Sequence, residues 1–141
     1  MVEVEIVGLR GAGVGTSVND ARLPSRQEVR RLARSAAACA QVSAGHLAIE
    51  FADERRIAQL NREHRGRDTA TDVLSFPVDG AEPLGESLPR EIGDVVICAS
   101  LCGDVREAIV HGVLHLVGYD HEADEGEMLA LQRAVLEAVT R

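Results

Sequence analysis

Aromatic side chains are nearly absent from this chain: Phe51, Phe76 and Tyr119 are all of them, and there is no tryptophan. Modules that hold single-stranded nucleic acid on stacked rings need several such side chains on one surface, and three are too few to build one. Lysine is missing altogether, so all 15 basic side chains are arginine. Cysteine is limited to Cys39, Cys98 and Cys102, an odd number with no C-x-x-C pair. That argues against a disulfide framework and fits reduced thiols; Cys98 and Cys102 read as buried thiols rather than metal ligands. No run of about eighteen apolar residues exists, which excludes a membrane-spanning helix. The N-terminus alternates Val2 and Val4 with Glu3 and Glu5, unlike a signal peptide. A cytoplasmic protein with no membrane partner is expected. A surplus of cations is lacking too. The formal net charge is −8, awkward for a partner of nucleic acid, whose phosphates draw on cations. Arginine is nevertheless the better bidentate phosphate ligand, and an acidic protein can carry a local basic stripe.

What is present fits one globular domain over residues 1–141, with 45% hydrophobic and 27% charged residues. Val2, Val4 and Ile6 read as a half-buried strand, and residues 8–20, rich in Gly, Ser, Thr and Asn, as a loop. Ser25 with Glu28 forms a capping box for a helix to about Gln41, burying Val29, Leu32, Ala33, Ala36 and Ala40. Its other face carries Arg26, Arg30, Arg31 and Arg34, either a solvated face or an RNA-facing one. A strand at 46–51 follows, then a helix capped by Asp53 and running to about His64. Val73 to Phe76 reads as a strand stopped by Pro77. The loop at 78–91 contains Pro83 and Pro89. Residues 92–98 are apolar apart from Asp94, as in a central strand. Asp104 and Glu107 open a helix to Val117. Asp120, Glu122, Asp124 and Glu125 crowd the start of a last one, whose core face is Met128, Leu129, Leu131, Val135, Leu136 and Val139. The expected fold is α+β: a small mixed sheet of about four strands packed with about four to five helices.

Three of the five histidines fall between His111 and His121. His111 and His115 are four apart, on one helical face and one turn from each other, which lets both imidazoles reach a metal at about 2.0–2.1 Å. Gly118 can adopt a left-handed conformation and end the helix, after which the chain can return His121 to the same point. Three neutral imidazoles with a fourth position open are the ligands of a catalytic rather than a structural zinc. His46 and His64, outside this block, look incidental.

The spacing H-x-x-x-H-x-x-G-x-x-H is that of the metzincin metalloproteases, which place glutamate after the first histidine as general base. Here that position is Gly112, which has no side chain to move a proton. A metal can still lower the pKa of a coordinated water to about 7, but the carboxylate-assisted peptidase mechanism has lost its base.

The block H-G-x-L-H-L-x-G-Y-D-H resembles the signature of the YbeY family, bacterial endoribonucleases of ribosomal RNA maturation. Two further blocks agree in kind and order: Leu60-Asn61 with Arg65-Gly66-Arg67-Asp68 and Thr71-Asp72-Val73-Leu74-Ser75-Phe76-Pro77, and Gly93-Asp94-Val95-Val96-Ile97. The resemblance implies a metal-dependent, single-strand-specific endoribonuclease acting on ribosomal RNA precursors, notably at the 16S 3′ end, and in ribosome quality control. It implies His111, His115 and His121 as ligands of one Zn2+ per chain, with other divalent metals suited to the same imidazoles. It places Arg65 in the catalytic cleft, beside His111, where a guanidinium can hold a phosphate or its transition-state charge, and it sets Asp72 and Ser75 nearby. Asp72 could equally make a turn hydrogen bond. Asp120 either orients a ligand imidazole or caps the last helix; Tyr119 either donates a hydrogen bond near the metal or packs. The nucleophile is either water or the ribose 2′-hydroxyl. The chain departs from the family pattern at His64, usually tyrosine, and at Ala70, usually proline. The stretch between Gly93 and His111 is also shorter than is usual in the family, by roughly ten residues or more, which shortens one wall of the cleft. Two other readings compete: a metal hydrolase of another substrate, such as a peptide, and a non-catalytic ribosome-associated factor whose metal takes a fourth protein ligand from Cys102, Asp120 or another acid.

Overall fold

The computed structural model describes residues 1–9, 23–84 and 89–139; the predicted loop at 8–20 lies, from residue 10 onward, outside them. The elements are β1 (Val2–Val7), α1 (Arg26–Ala38), β2 (Gly45–Phe51), α2 (Glu54–Arg65), β3 (Val73–Pro77), β4 (Glu91–Ile97), α3 (Val105–Leu116) and α4 (Glu127–Val139). The sheet order is β1-β2-β4-β3, with β1, β2 and β4 parallel and β3 antiparallel on the edge. This is the mixed α+β sheet that the pattern predicts, with the most apolar strand inside it. No helix among the described residues is long and apolar enough to cross a membrane.

Local chemistry sets the helix ends. Ser25, Asp53 and Asp104 each accept a backbone N–H of the first turn of α1, α2 and α3. Only half of the predicted capping box forms, because the Glu28 carboxylate turns away to a bidentate ion pair with Arg106, both contacts 2.9 Å. That pair ties α1 to α3. Helix α1 stops at Ala38, three residues before the predicted end, and Gln41 sits in the left-handed region at φ 62°. Ala40 is consequently only half-buried. Arg34 is spent on structure, its Nε donating to the Val2 carbonyl at 2.8 Å.

Helices α1 and α3 cover one face of the sheet, over Leu47, Ile49, Val95 and Ile97, and α4 packs on those two helices. Helix α2 covers part of the other, laying Ile57 and Leu60 on Leu74, Val96 and Cys98. Strand β4 is thus buried on both sides along its second half, which is why Val95 to Ile97 read as a continuous apolar run, while Asp94 before them is exposed. The last helix presents Met128, Gln132, Val135 and Val139 inward, with Leu131 and Leu136 half-buried against the core. Leu129, predicted in the core, is 46% exposed, since it falls one position off that stripe.

Where α2 does not reach, His46 bridges the strands. Its Nδ1 lies 2.9 Å from Glu91 and its Nε2 3.1 Å from Glu5. The bond to Glu91 is the main cause of a raised pKa, so this histidine is structural rather than incidental. Its contribution is full below the ordinary value of 6.5 and disappears as pH rises through the higher folded value. His46→Gln is therefore expected to lower the melting temperature at pH 6 and to leave it nearly unchanged at pH 9, by thermal scans of both proteins at both pH values.

Candidate metal centre

Helix α3 carries the histidines, and its seating on the sheet places them. Gly112 faces inward, where a Cβ would lie 2.5 Å from Val95 Cγ1 and 3.3 Å from Val73 Cγ2. The absent side chain lets the helix lie close on β3 and β4. Ser75 fastens the contact, its hydroxyl donating to the Gly112 carbonyl at 2.9 Å. The helix ends as predicted, with Gly118 at φ 102° and the Tyr119 N–H returning to the Leu114 carbonyl at 3.0 Å. The chain then doubles back and delivers His121. Its ring centroid lies 5.1 Å from that of His111 and 5.4 Å from that of His115, and one nitrogen of each ring falls within 4.8 Å of the others.

Hydrogen bonds fix the tautomers of the two helical rings. His115 Nδ1 lies 2.9 Å from the Tyr119 carbonyl, which can only accept, so Nδ1 carries the proton and Nε2 presents a lone pair. His111 Nδ1 lies 2.9 Å from Gln132 Oε1. The Gln132 amide is itself oriented by the Glu107 carboxylate, which accepts from Nε2 at 3.2 Å. His111 therefore also protonates Nδ1 and bares Nε2. The two bare nitrogens face each other at 3.2 Å, close to the roughly 3.3 Å of two ligands placed tetrahedrally about one zinc. Lone pairs aimed at one point call for a cation between them. Burial, with His111 and His121 adding, lowers the pKa of His115, which keeps it neutral, the form a metal binds.

A cavity of about 480 Å³ opens over the three rings, with Arg65, Asp72, Ser75 and Asp120 also on its walls. The structure thus brings Arg65, at the last turn of α2, to the same cleft as the histidines. Arg65 has no ion-pair partner among the described residues. None of Arg26, Arg30, Arg31 or Arg34 reaches this cleft. Asp72 makes the local bond allowed for it, accepting the Val73 N–H at 2.9 Å. Asp120 takes neither predicted role: its carboxylate accepts the Glu122 N–H and shapes a turn, while Asp124 receives the N–H groups of Gly126 and Met128 at the start of α4. The Tyr119 hydroxyl points away, donating to the Cys39 carbonyl at 2.9 Å; its backbone carbonyl is what serves the site. The Cys102 thiol donates to the Cys98 carbonyl, and burial, reinforced by Asp72, pushes its pKa up to about 12. A thiol held protonated is a poor candidate for a fourth ligand.

Two contributors escape a reading of the sequence. Asn61, 2% exposed, donates to the Thr69 carbonyl at 2.9 Å and braces the loop behind Arg65. Gln132 is the other. Its signal was a polar residue four after Met128 and three before Val135, on an otherwise apolar helix face. Partners of this kind, placed behind a ligand imidazole, are worth about 10- to 100-fold in metal affinity. Gln132→Leu is expected to weaken zinc binding by that factor, measured by competition with a chromophoric chelator, while the circular dichroism stays that of the parent.

The comparisons with known proteins agree with this geometry. The family model described as Endoribonuclease YbeY matches residues 17–140. The Endoribonuclease YbeY of Alkalilimnicola ehrlichii is 42% identical over 131 residues, covering 82% of this chain and 78% of that one. The Staphylococcus carnosus protein of the same name is 37% identical over 107 residues, covering 64% of this chain and 70% of its own. Among solved structures, TM1509 from Thermotoga maritima, determined in solution, superposes with a TM-score of 0.54 at 22% identity, covering 99% of this chain and 89% of that one. That likeness speaks for the fold.

Proposed function

The chain belongs to the YbeY endoribonuclease family, and from that premise we propose that it is a zinc-dependent endoribonuclease of ribosomal RNA maturation. Its substrate is single-stranded precursor RNA, on or near the ribosome in the cytoplasm, and residues 1–141 act as one domain. The observation that carries this reading is the convergence of His111, His115 and His121, with two nitrogens bared by their hydrogen bonds, in one cleft with Arg65, which has no ion-pair partner among the described residues. Those residues would hold the ion, and a divalent cation there supplies Lewis-acid activation at neutral pH. The chain's own groups do the rest. Arg65 binds the phosphodiester and balances the charge that grows on its oxygens. Ser75, through Gly112, holds the ligand helix at a fixed distance from the cleft wall. Gly112 leaves no carboxylate at the position where the related peptidase motif keeps its base, which favours phosphoryl over peptide chemistry.

Arg65→Ala is expected to reduce cleavage of end-labelled single-stranded ribosomal RNA by about 100-fold, the typical effect of one lost charge-stabilising donor, with zinc content unchanged. Arg65→Lys should recover part of it. Retained cleavage in the alanine variant would remove Arg65 from the catalytic machinery. Product ends decide the nucleophile: a 2′,3′-cyclic phosphate identifies the ribose hydroxyl, a simple phosphate identifies water.

A further inference from the structure

A second cavity, about 870 Å³, lies on the face of the sheet that α2 leaves open. It is continuous with the histidine cleft, since Arg65, Ser75 and Pro77 line both. Its floor is a row of cross-strand neighbours: Glu5 pairs with Ala48, Ala48 with Asp94, and Asp94 with Phe76. The small Ala48 leaves a hollow between two carboxylates. At the end of the row nearest Arg65, the rings of Phe76 and His64 meet at 4.9 Å with a 55° tilt.

The chemistry of these walls selects what can lie there. Glu50 and Asp94 make the floor anionic; Glu5 at its far end is held by His46 at 3.1 Å, and Arg56 is committed to Glu50 at 3.2 Å. Such a floor repels phosphate and accepts hydrogen bonds from N–H groups. A strand whose phosphate sits at Arg65 must then turn a base, not a phosphate, toward the sheet. The one ring pair in the cavity stands where that base would arrive, and Asp94, which makes no ion pair among the described residues, stands next to it.

We propose that His64 and Phe76 form a nucleobase subsite, stacking the base next to the phosphodiester held at Arg65, with Asp94 accepting from the exocyclic amino group of that base. The subsite rests on the ribonuclease reading and deepens it by naming a preference. Adenine, cytosine and guanine carry such an amino group and uracil does not. A single platform of this kind gives a local preference without the multi-ring surface that the sequence lacks.

The test uses the zinc-loaded full chain with short single-stranded oligoribonucleotides, read by fluorescence anisotropy for binding and by gel for cleavage. Loss of one stacking side chain corresponds to about 5- to 100-fold in affinity, and His64→Ala is expected to fall within that range. His64→Tyr should restore binding, and zinc content should be equal in all three proteins. An abasic ribose walked along the RNA should weaken the parent protein at one position and weaken His64→Ala no further there. Uracil at that position should cost the parent several-fold, about the loss of one hydrogen bond, and cost Asp94→Ala nothing. Cleavage by the parent with no His64-dependent position would overturn the subsite and leave the nuclease reading standing. Binding that depends on His64 without any cleavage would keep the subsite and overturn the nuclease reading.

Discussion

His115→Ala is expected to lose bound metal and RNA cleavage together, the latter by on the order of 1,000-fold or more, because activation by a bound cation is worth at least that much at neutral pH. The ring stands at the centre of the constellation. Its Nε2 is 3.2 Å from that of His111, and its Nδ1 is held by the Tyr119 carbonyl in the turn that carries His121. Removing it takes away one ligand and loosens the segment that delivers another. The fold should survive, since the inward side chains of α3 (Ile109, Val110, Val113, Leu114) are untouched and fully buried. Three measurements on protein purified in parallel with the parent check this: zinc by atomic absorption after dialysis, circular dichroism, and cleavage of end-labelled single-stranded ribosomal RNA. Zinc retained at one per chain in the variant would remove His115 from the ligand set. Cleavage equal to the parent's would assign the activity to a contaminant and leave the chain as a binding factor.

The ligand set was legible in the sequence because it is local. Spacing of four on a helix, a glycine at the turn and a third histidine just beyond it need nothing from the rest of the chain, and Gly118 does what its position predicts. Strand β4 was legible for a similar reason: burial on both faces removes the polar alternation, and the letters show it. What could not be read is whatever depends on a partner far along the chain. Glu28 looks like half of a capping box until Arg106, 78 residues away, takes its carboxylate. Asp120 has the residue type for orienting a ligand ring, yet the ring it would serve is already held by a main-chain carbonyl, which no side-chain pattern reveals. Gln132 and His46 act across 21 and 45 residues respectively, and their roles come from the packing of α4 on α3 and of β2 beside β4. Arg65 lies between these cases. Resemblance alone pointed to it, and the structure places its side chain on the histidine cleft.

Gly112→Glu restores the letters of a metalloprotease signature and is expected to unfold the protein or nearly so, without producing a peptidase. In an exposed helix interior, replacing glycine even by alanine gains about 1 kcal/mol. Here the new Cβ meets Val95, whose side chain is fully buried and, being β-branched, has little freedom to move. Overpacking of this sort costs about 1–3 kcal/mol, so Gly112→Ala should come out destabilised by up to about 2 kcal/mol, with a melting temperature lower by up to about 8 °C. Glutamate adds the burial of a carboxylate among apolar side chains, several kcal/mol more, against a domain stability of about 5–15 kcal/mol. Val95→Ala in the Gly112→Ala background should recover part of the loss, since the two positions clash directly and their effects cannot be additive. If instead Gly112→Ala stabilises the chain, the helix does not sit as close to β4 as the 2.5 Å approach requires. The same closeness accounts for the residue type. A side chain at 112 would lift α3 off β3, break the Ser75 bond to the Gly112 carbonyl, and carry His111 and His115 away from the cleft wall that holds Arg65. In the peptidases the residue after the first histidine has room to turn toward the metal; in this chain it is where the ligand helix touches the sheet.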